Sequence, residues 1–345
     1  MRPSRLGAAL VAAVTVASLA GCGTEAEPTA TTESSSAPTA QFPLTIKHAL
    51  GETTIEAQPE RVATVSWANH EVPIALGVIP VGMSKATWGD DDGDGVLPWV
   101  EEKLTELGAE TPVLFDETDG IDFEAVADTQ PDVILASYSG LSQEDYETLT
   151  KIAPVVAYPE LPWSTSVADM VRLNSQALGK ATEGDQLISA LEEKIAATVA
   201  EYPQIKGKSA VFSYIDTKDL SQVGFYTTHD TRPAFFEELG MATPKVVADA
   251  TAKTKEFYVT RSAENADEFA DADIFIIYGD AEGKTLKAIQ DDKLMSKIPA
   301  IARGSVVTLV DSTPLAAAAN PSPLSIDWAL NDYVKLLADA VDKRA

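Results

Sequence analysis

Residues 182–202 read Thr-Glu-Gly-Asp-Gln-Leu-Ile-Ser-Ala-Leu-Glu-Glu-Lys-Ile-Ala-Ala-Thr-Val-Ala-Glu-Tyr, and Pro203 closes the run. Leu187, Leu191, Ile195 and Val199 recur every four residues, which predicts a helix with one narrow apolar face. Glu192, Glu193, Lys194 and Glu201 fall mostly elsewhere and stay wet. From Gly184 to Tyr202 the helix would span roughly 28 Å at 1.5 Å per residue. Strand-and-helix patterns lie both before and after it. We therefore expect an α/β protein of two Rossmann-like lobes with mostly parallel sheets, residues 42–181 and 204–345. The 182–203 helix connects them and a ligand cleft lies between them. A surface helix on one large domain is the competing reading.

The 345 residues suffice for two domains, and 45% of them are hydrophobic, enough for packed cores. The formal charge of −27 argues against nucleic acid and against a polybasic hold on lipid. Arg2 and Arg5 precede an apolar run, Leu6 to Leu19, which is an export signal too short to span a membrane. Leu19-Ala20-Gly21-Cys22 follows and resembles the lipobox of bacterial lipoproteins. Cys22 is the single cysteine, so a lipidation site explains it better than a disulfide. Residues 1–21 are read as signal peptide. The Thr, Ser, Glu, Ala and Pro of 22–41 are read as a flexible tether. The mature chain is expected on the outer face of a cell membrane, held by lipid on Cys22.

In the first half, residues 44–57 alternate apolar and polar positions about a turn and predict a hairpin. Val62–Val65, Val78–Met83, Asp132–Ala136 and Val155–Ala157 read as strands separated by helical patterns, which implies a mostly parallel sheet. Phe42-Pro43-Leu44-Thr45-Ile46, Gly51 and Pro59-Glu60-Arg61-Val62 resemble the opening of iron-siderophore-binding lipoproteins that serve ABC importers. This is the periplasmic-binding-protein family with a single long connecting helix, as in ferrichrome- and cobalamin-binding proteins. Ala75-Leu76-Gly77-Val78-Ile79-Pro80-Val81-Gly82 resembles its next signature. So does Phe123-Glu124-Ala125-Val126-Ala127 leading into Gln130-Pro131-Asp132-Val133-Ile134. The resemblance spans residues 42–343 and rests on the order of these segments. It implies a monomeric binder of a ferric siderophore, with a permease dimer as partner and lobes that close by only a few degrees. Hydroxamate-type ligands lead, and cobalamin, haem or a bare metal ion is the alternative.

Asp90-Asp91-Asp92-Gly93-Asp94-Gly95 with Glu101 matches the spacing of an EF-hand calcium loop. No entering helix precedes it, and Pro98 falls inside its second half. Asp90, Asp92, Asp94 and Glu101 are thus a candidate Ca²⁺ set weighed against an acidic loop that leads into a helix at Pro98–Leu107.

The second half repeats the strand-helix alternation: Ser209–Ile215, Pro233–Leu239, Ile274–Tyr278, Val306–Val310 and a closing helix at Trp328–Val341. Asp132 and Asp273 each stand at the mouth of an apolar strand, which points to two similar lobes. Ligands of such sheets lie beyond the carboxyl ends of the strands. Trp67, Trp88, Tyr138 and Trp163 follow first-lobe strands. Tyr214 and Tyr278 end second-lobe strands, and Tyr226 and Arg232 are expected on the intervening loop. Aromatic walls with one guanidinium fork suit an apolar scaffold carrying anionic oxygens.

No nucleophile elbow, zinc-protease motif, phosphate loop or dinucleotide fingerprint occurs, so no catalytic residue is assigned. An exported hydrolase is the remoter alternative. His70 and His229 are the candidates for a bare-metal site across the cleft. The resemblance implies one acid per lobe facing arginine pockets of the permease: Glu124 in the first, and Glu237 in the second with Glu238 in reserve. Ala234 stands where relatives often carry that second acid.

Overall fold

A computed structural model describes residues 41–343. Thr45, Thr53 and their alternating neighbours form the expected hairpin, β1 (Leu44–His48) and β2 (Gly51–Ile55), paired antiparallel. The first lobe then runs β3 (Val62–Thr64), α1 (Glu71–Ala75), β4 (Gly82–Ser84), α2 (Pro98–Glu106), β5 (Val113–Phe115), α3 (Phe123–Asp128), β6 (Val133–Ala136), α4 (Gln143–Leu149), β7 (Val155–Ala157) and α5 (Val167–Ala177). Its sheet has the order β5-β4-β3-β6-β7 and every pair is parallel. Strands β3, β6 and β7 are buried at every position, as a sheet covered on both faces requires. The run at Val78 becomes a strand only from Gly82, and β5 carried no sequence signal strong enough to place it.

The connecting helix is α6 (Ala181–Glu201). Its buried residues are Gly184, Ile188, Leu191, Ile195 and Thr198, whereas Leu187 and Val199 sit at the margin. A strict four-residue repeat drifts by about 40° per step around a 3.6-residue helix, so the buried face mixes steps of three and four instead. Gly184 has a packing reason: a Cβ there would lie 2.0 Å from Ser175 Oγ, so only glycine lets α6 approach α5 this closely.

The second lobe holds β8 (Ala210–Tyr214), β9 (Gln222–Tyr226), α7 (Thr231–Glu238), α8 (Lys245–Thr251), β10 (Tyr258–Ser262), β11 (Ile274–Gly279), α9 (Lys284–Asp291), α10 (Pro299–Ala302) and β12 (Val306–Val310). It closes with α11 (Pro314–Ala318) and α12 (Pro323–Asp342), the latter one turn longer at its start than its apolar pattern predicts. The sheet order is β10-β9-β8-β11-β12, in which β8, β11 and β12 are parallel and β9 and β10 antiparallel. The short link from β8 to β9 has no room for a crossover helix, so β9 must turn back. The two lobes are therefore similar in their parallel strands and different at this edge.

The Asp repeat has a structural cause. Asp132 accepts the Glu60 and Arg61 N–H groups at 2.8 and 3.0 Å, and Asp273 accepts the Ser209 N–H at 3.0 Å. Each carboxylate pins the start of the neighbouring strand, at the end of the sheet away from the ligand cleft. Ala317, Ala318, Leu324 and Ala329 of α11 and α12 pack with Trp99, Val100 and Leu104 of α2. A second apolar core gathers Tyr138, Val171, the inner face of α6, Phe212, Ile276 and α12. The lobes thus share buried surface under α6 and α12. No helix among the described residues is long and apolar enough to cross a membrane. Cys22, the signal segment and nearly all of the tether lie outside the described residues.

Candidate functional site

The chain leaves β3 through two left-handed residues, Ser66 (φ 63°) and Ala68 (φ 61°), which sit on either side of Trp67. Such a backbone is costly for residues with a Cβ and persists where its surroundings fix it. Here the Glu117 carboxylate accepts the Ser66 N–H through both oxygens, at 3.1 and 2.9 Å. Asn69, fully buried, donates to the Val65 and Tyr138 carbonyls at 2.8 Å each and accepts the Tyr138 N–H at 3.0 Å. It stitches the exit of β3 to the exit of β6 and so positions Tyr138. Trp163 is also left-handed (φ 57°), and its N–H donates to Ser139 O at 2.9 Å. Its indole lies against Gly140, where a Cβ would come within 2.2 Å of Nε1. Tyr138 and Trp163 meet edge-on with centroids 5.5 Å apart.

Across the cleft, Asp230 caps α7 and holds Arg232. The carboxylate, 1% exposed, accepts the Arg232 backbone N–H at 2.9 Å, Nε at 2.8 Å and Nη2 at 2.7 Å. Arg232 Nη1 donates to the Tyr278 hydroxyl at 3.2 Å, and Cζ sits 3.9 Å above the Tyr226 ring. Burial disfavours the guanidinium charge, but the Asp230 carboxylate more than offsets this and keeps it protonated. Burial also pushes the Tyr138 and Tyr278 phenols up to about 12. Both stay neutral near pH 7 and serve as hydrogen-bonding groups. The lobes meet here directly. The Tyr138 hydroxyl lies 3.1 Å from Thr231 Oγ1 and accepts from Asn320 Nδ2 at 3.2 Å, while Trp88 Nε1 donates to Asp311 at 3.2 Å.

The resulting cavity, ≈ 270 Å³, is lined by Trp67, Tyr138, Trp163, Asp230, Arg232, Phe257 and Asn320. Four residues singled out from the sequence, Trp67, Tyr138, Trp163 and Arg232, converge on it. Tyr226 and Tyr278 hold Arg232 from beneath; Tyr226 ends β9 and Arg232 lies in the first turn of α7, rather than both lying on a loop. Trp88 packs edge-on against Tyr278 at 5.4 Å and ties the lobes together. Tyr214 stands apart, 52% exposed, and its carbonyl accepts from Tyr258. Asp230, Phe257 and Asn320 were not foreseen. Asp230 beside a helix start and one residue from an arginine was a legible signal; Asn320, in an alanine-rich stretch, offered none.

The other candidates separate. Asp90, Asp92 and Asp94 offer carboxylate oxygens within 4.8 Å of one another, but Glu101 is not part of that cluster. Glu101 is exposed in the first turn of α2, which Pro98 starts. The three aspartates instead accept backbone N–H groups of the loop, such as that of Gly95 to Asp90 at 2.7 Å. His70 is buried, and His229 Nε2 contacts the Thr254 carbonyl at 2.9 Å. Neither belongs to a metal-holding cluster among the described residues. Glu124 is exposed in the first turn of α3 behind its Asp122 cap. Glu237 is exposed near the end of α7 and accepts from Thr243 Oγ1 at 3.0 Å.

Two α/β lobes joined by one long helix, with an aromatic cavity between them, define a solute-binding protein. The chain belongs to the family described as Periplasmic binding protein, which it matches over residues 62–313. It is similar to PiaA of Streptococcus pneumoniae TIGR4, solved in complex with ferrichrome. The two share 44% identity over 87% of this chain and 99% of that one, with a TM-score of 0.83. The probable siderophore-binding lipoprotein YfiY of Bacillus subtilis (strain 168) is 26% identical over 65% of this chain and 71% of its own length. The ferric enterobactin-binding periplasmic protein FepB of Escherichia coli O6:H1 is 25% identical over 79% of this chain and 86% of its own. Membership in a family of binding proteins leaves the hydrolase alternative without an observation in its favour.

Proposed function

We propose that this chain captures a ferric siderophore of the hydroxamate class between its lobes and delivers it to an ABC importer. The observation that carries the class is the charge of the cavity. The one cation that lines it, Arg232, is already matched by Asp230. A fully coordinated ferric hydroxamate is neutral, whereas a ferric catecholate carries several negative charges that would find no counter-ion here. Trp67, Trp163 and Phe257 supply apolar wall for the scaffold. Arg232 has five N–H groups, of which Asp230 and Tyr278 occupy three side-chain donors, leaving two for the oxygens around iron. PiaA, with its ferrichrome complex, supports the same chemistry.

In this reading residues 42–181 and 204–345 are the two lobes and 182–203 their connecting helix, and the protein acts as a monomer. Lipid on Cys22 holds it at the outer membrane face, and Glu124 and Glu237 meet the permease. Equilibrium dialysis against a ferric hydroxamate, haem, cobalamin and Zn²⁺ tests the ligand assignment. Retention of the hydroxamate alone is expected, and retention of any other in its place overturns it.

A further inference from the structure

A second cavity, ≈ 410 Å³, runs along α6 on the side where both lobes meet it. Val167 of α5, Leu191 and Ile195 of α6 and Ile326 of α12 form an apolar floor, and two carboxylates, Glu192 and Glu238, stand at its edge. The two acids come from different helices yet sense each other: partial burial and then the Glu192 charge push the Glu238 carboxyl upward. Both carboxylates are exposed where they line the groove, and none of the ion pairs of the surrounding helices includes them. Every basic side chain on the surrounding helices is engaged with another acid: Arg172 with Asp169, Lys194 with Asp327, Lys335 with Asp339, and Arg232 with Asp230. Among the described residues Glu192 and Glu238 have no ion-pair partner.

We propose that this groove binds a small aliphatic cation, an ammonium group on a hydrocarbon chain, with Glu192 and Glu238 as its counter-ions. The charge complementarity selects the head group and the apolar floor selects the chain, while a free carboxylate of the same length is repelled. Val167 and Glu238 also line a neighbouring cavity, ≈ 200 Å³, whose wall includes Asp230. Asp230 in turn lines the ligand cleft. An occupant of the groove therefore touches both lobes and the connecting helix beside the siderophore site, without entering it.

The test titrates hexylammonium chloride, sodium hexanoate and hexanol into the full chain by calorimetry, with no siderophore present. Its outcome is thus independent of the siderophore assignment. Saturable binding of hexylammonium is expected, at least about tenfold tighter than that of hexanoate or hexanol. Glu192→Gln/Glu238→Gln should lose at least about tenfold in hexylammonium affinity, and Leu191→Trp, which fills the floor, should abolish binding. Circular dichroism confirms that each variant is folded. Equal binding of hexanoate, an unchanged double variant, or no saturation by hexylammonium up to about 10 mM overturns the proposal.

Discussion

The Glu71 carboxylate of the first lobe accepts the Leu324 backbone N–H of the second at 2.9 Å, across 253 residues of sequence. The same carboxylate accepts Trp99 Nε1 at 2.7 Å, and Glu71 is fully buried. A helix start normally offers unsatisfied N–H groups to solvent or to its own cap. Here α12 has its Ser322 cap and in addition an acid from the opposite lobe, where the helix dipole favours negative charge. With Trp88–Asp311, Tyr138–Thr231, Tyr138–Asn320 and Glu102–Trp328, this contact ties the lobes together without a ligand.

Removing that carboxylate strands buried donors, Trp99 Nε1 and the Leu324 N–H among them. Glu71→Ala is expected to cost about 3 kcal/mol in urea unfolding. The pH dependence has a definite sign. Burial pushes the Glu71 carboxyl above its usual value of 4.5, against hydrogen bonds from Ser322, Trp99, Leu324 and Ser325. The folded chain therefore holds its proton longer than the unfolded chain, and stability falls as pH rises from 4.5 through the folded value. Glu71→Gln should flatten this slope; an identical slope in variant and wild type would count against it.

His70 works in the opposite direction. Burial lowers its imidazole from 6.5 to about 4, and Nδ1 has no hydrogen-bond partner. Its contribution is present above pH 6.5 and is lost as pH falls towards 4, because only the unfolded chain takes up the proton. The total is about 3 kcal/mol. His70→Gln should narrow the stability difference between pH 7 and pH 4.5, read from urea midpoints.

Arg232 and Asp230 form one buried pair, and altering either leaves the other without its counter-charge. Arg232→Ala removes the cation that lines the cavity and its two free N–H groups, so ferric hydroxamate affinity should fall by about 30-fold or more, and it leaves the buried Asp230 carboxylate without its counter-charge. Asp230→Asn leaves a guanidinium buried without its counter-charge and should cost about 3 kcal/mol of stability as well. Equal stability of wild type and Asp230→Asn would show that the pair is not what holds Arg232.

The connecting helix, the parallel strands and the apolar aromatics at their carboxyl ends were legible because each is a local pattern. Strands β9 and β10 were not. Gln222–Tyr226 has a glycine at its centre, and the Tyr258 hydroxyl presses there so closely that a Cβ on Gly224 would lie 1.7 Å away. Tyr258–Ser262 is an edge strand with no fully buried residue, so it lacks the alternation that marks a half-buried strand. The turn that presents Trp67 depends on Glu117, 51 residues from Ser66, and the Tyr138 contact depends on Asn320, 182 residues away. Spacing in one chain does not encode such meetings. The Asp90–Glu101 spacing is met only in part: Asp90, Asp92 and Asp94 gather, and Glu101, in the first turn of α2, is not among them.

Delivery can be separated from capture. Glu124→Ala leaves the cleft untouched, so siderophore affinity should be unchanged while cellular uptake of labelled iron falls, further in Glu124→Ala/Glu237→Ala. Cys22→Ala should move the protein out of the membrane fraction with the same affinity. Undiminished uptake in the double variant would remove these acids from the permease contact.

Capture of a neutral ferric hydroxamate is the central claim, and tryptophan emission reports on it because Trp67 and Trp163 line the cavity. One preparation is titrated with a ferric tris-hydroxamate and, separately, with a ferric tris-catecholate. The charge-matched cavity predicts saturable quenching by the hydroxamate at one equivalent and at least about 100-fold weaker binding of the catecholate. Equal or tighter binding of the catecholate would contradict it.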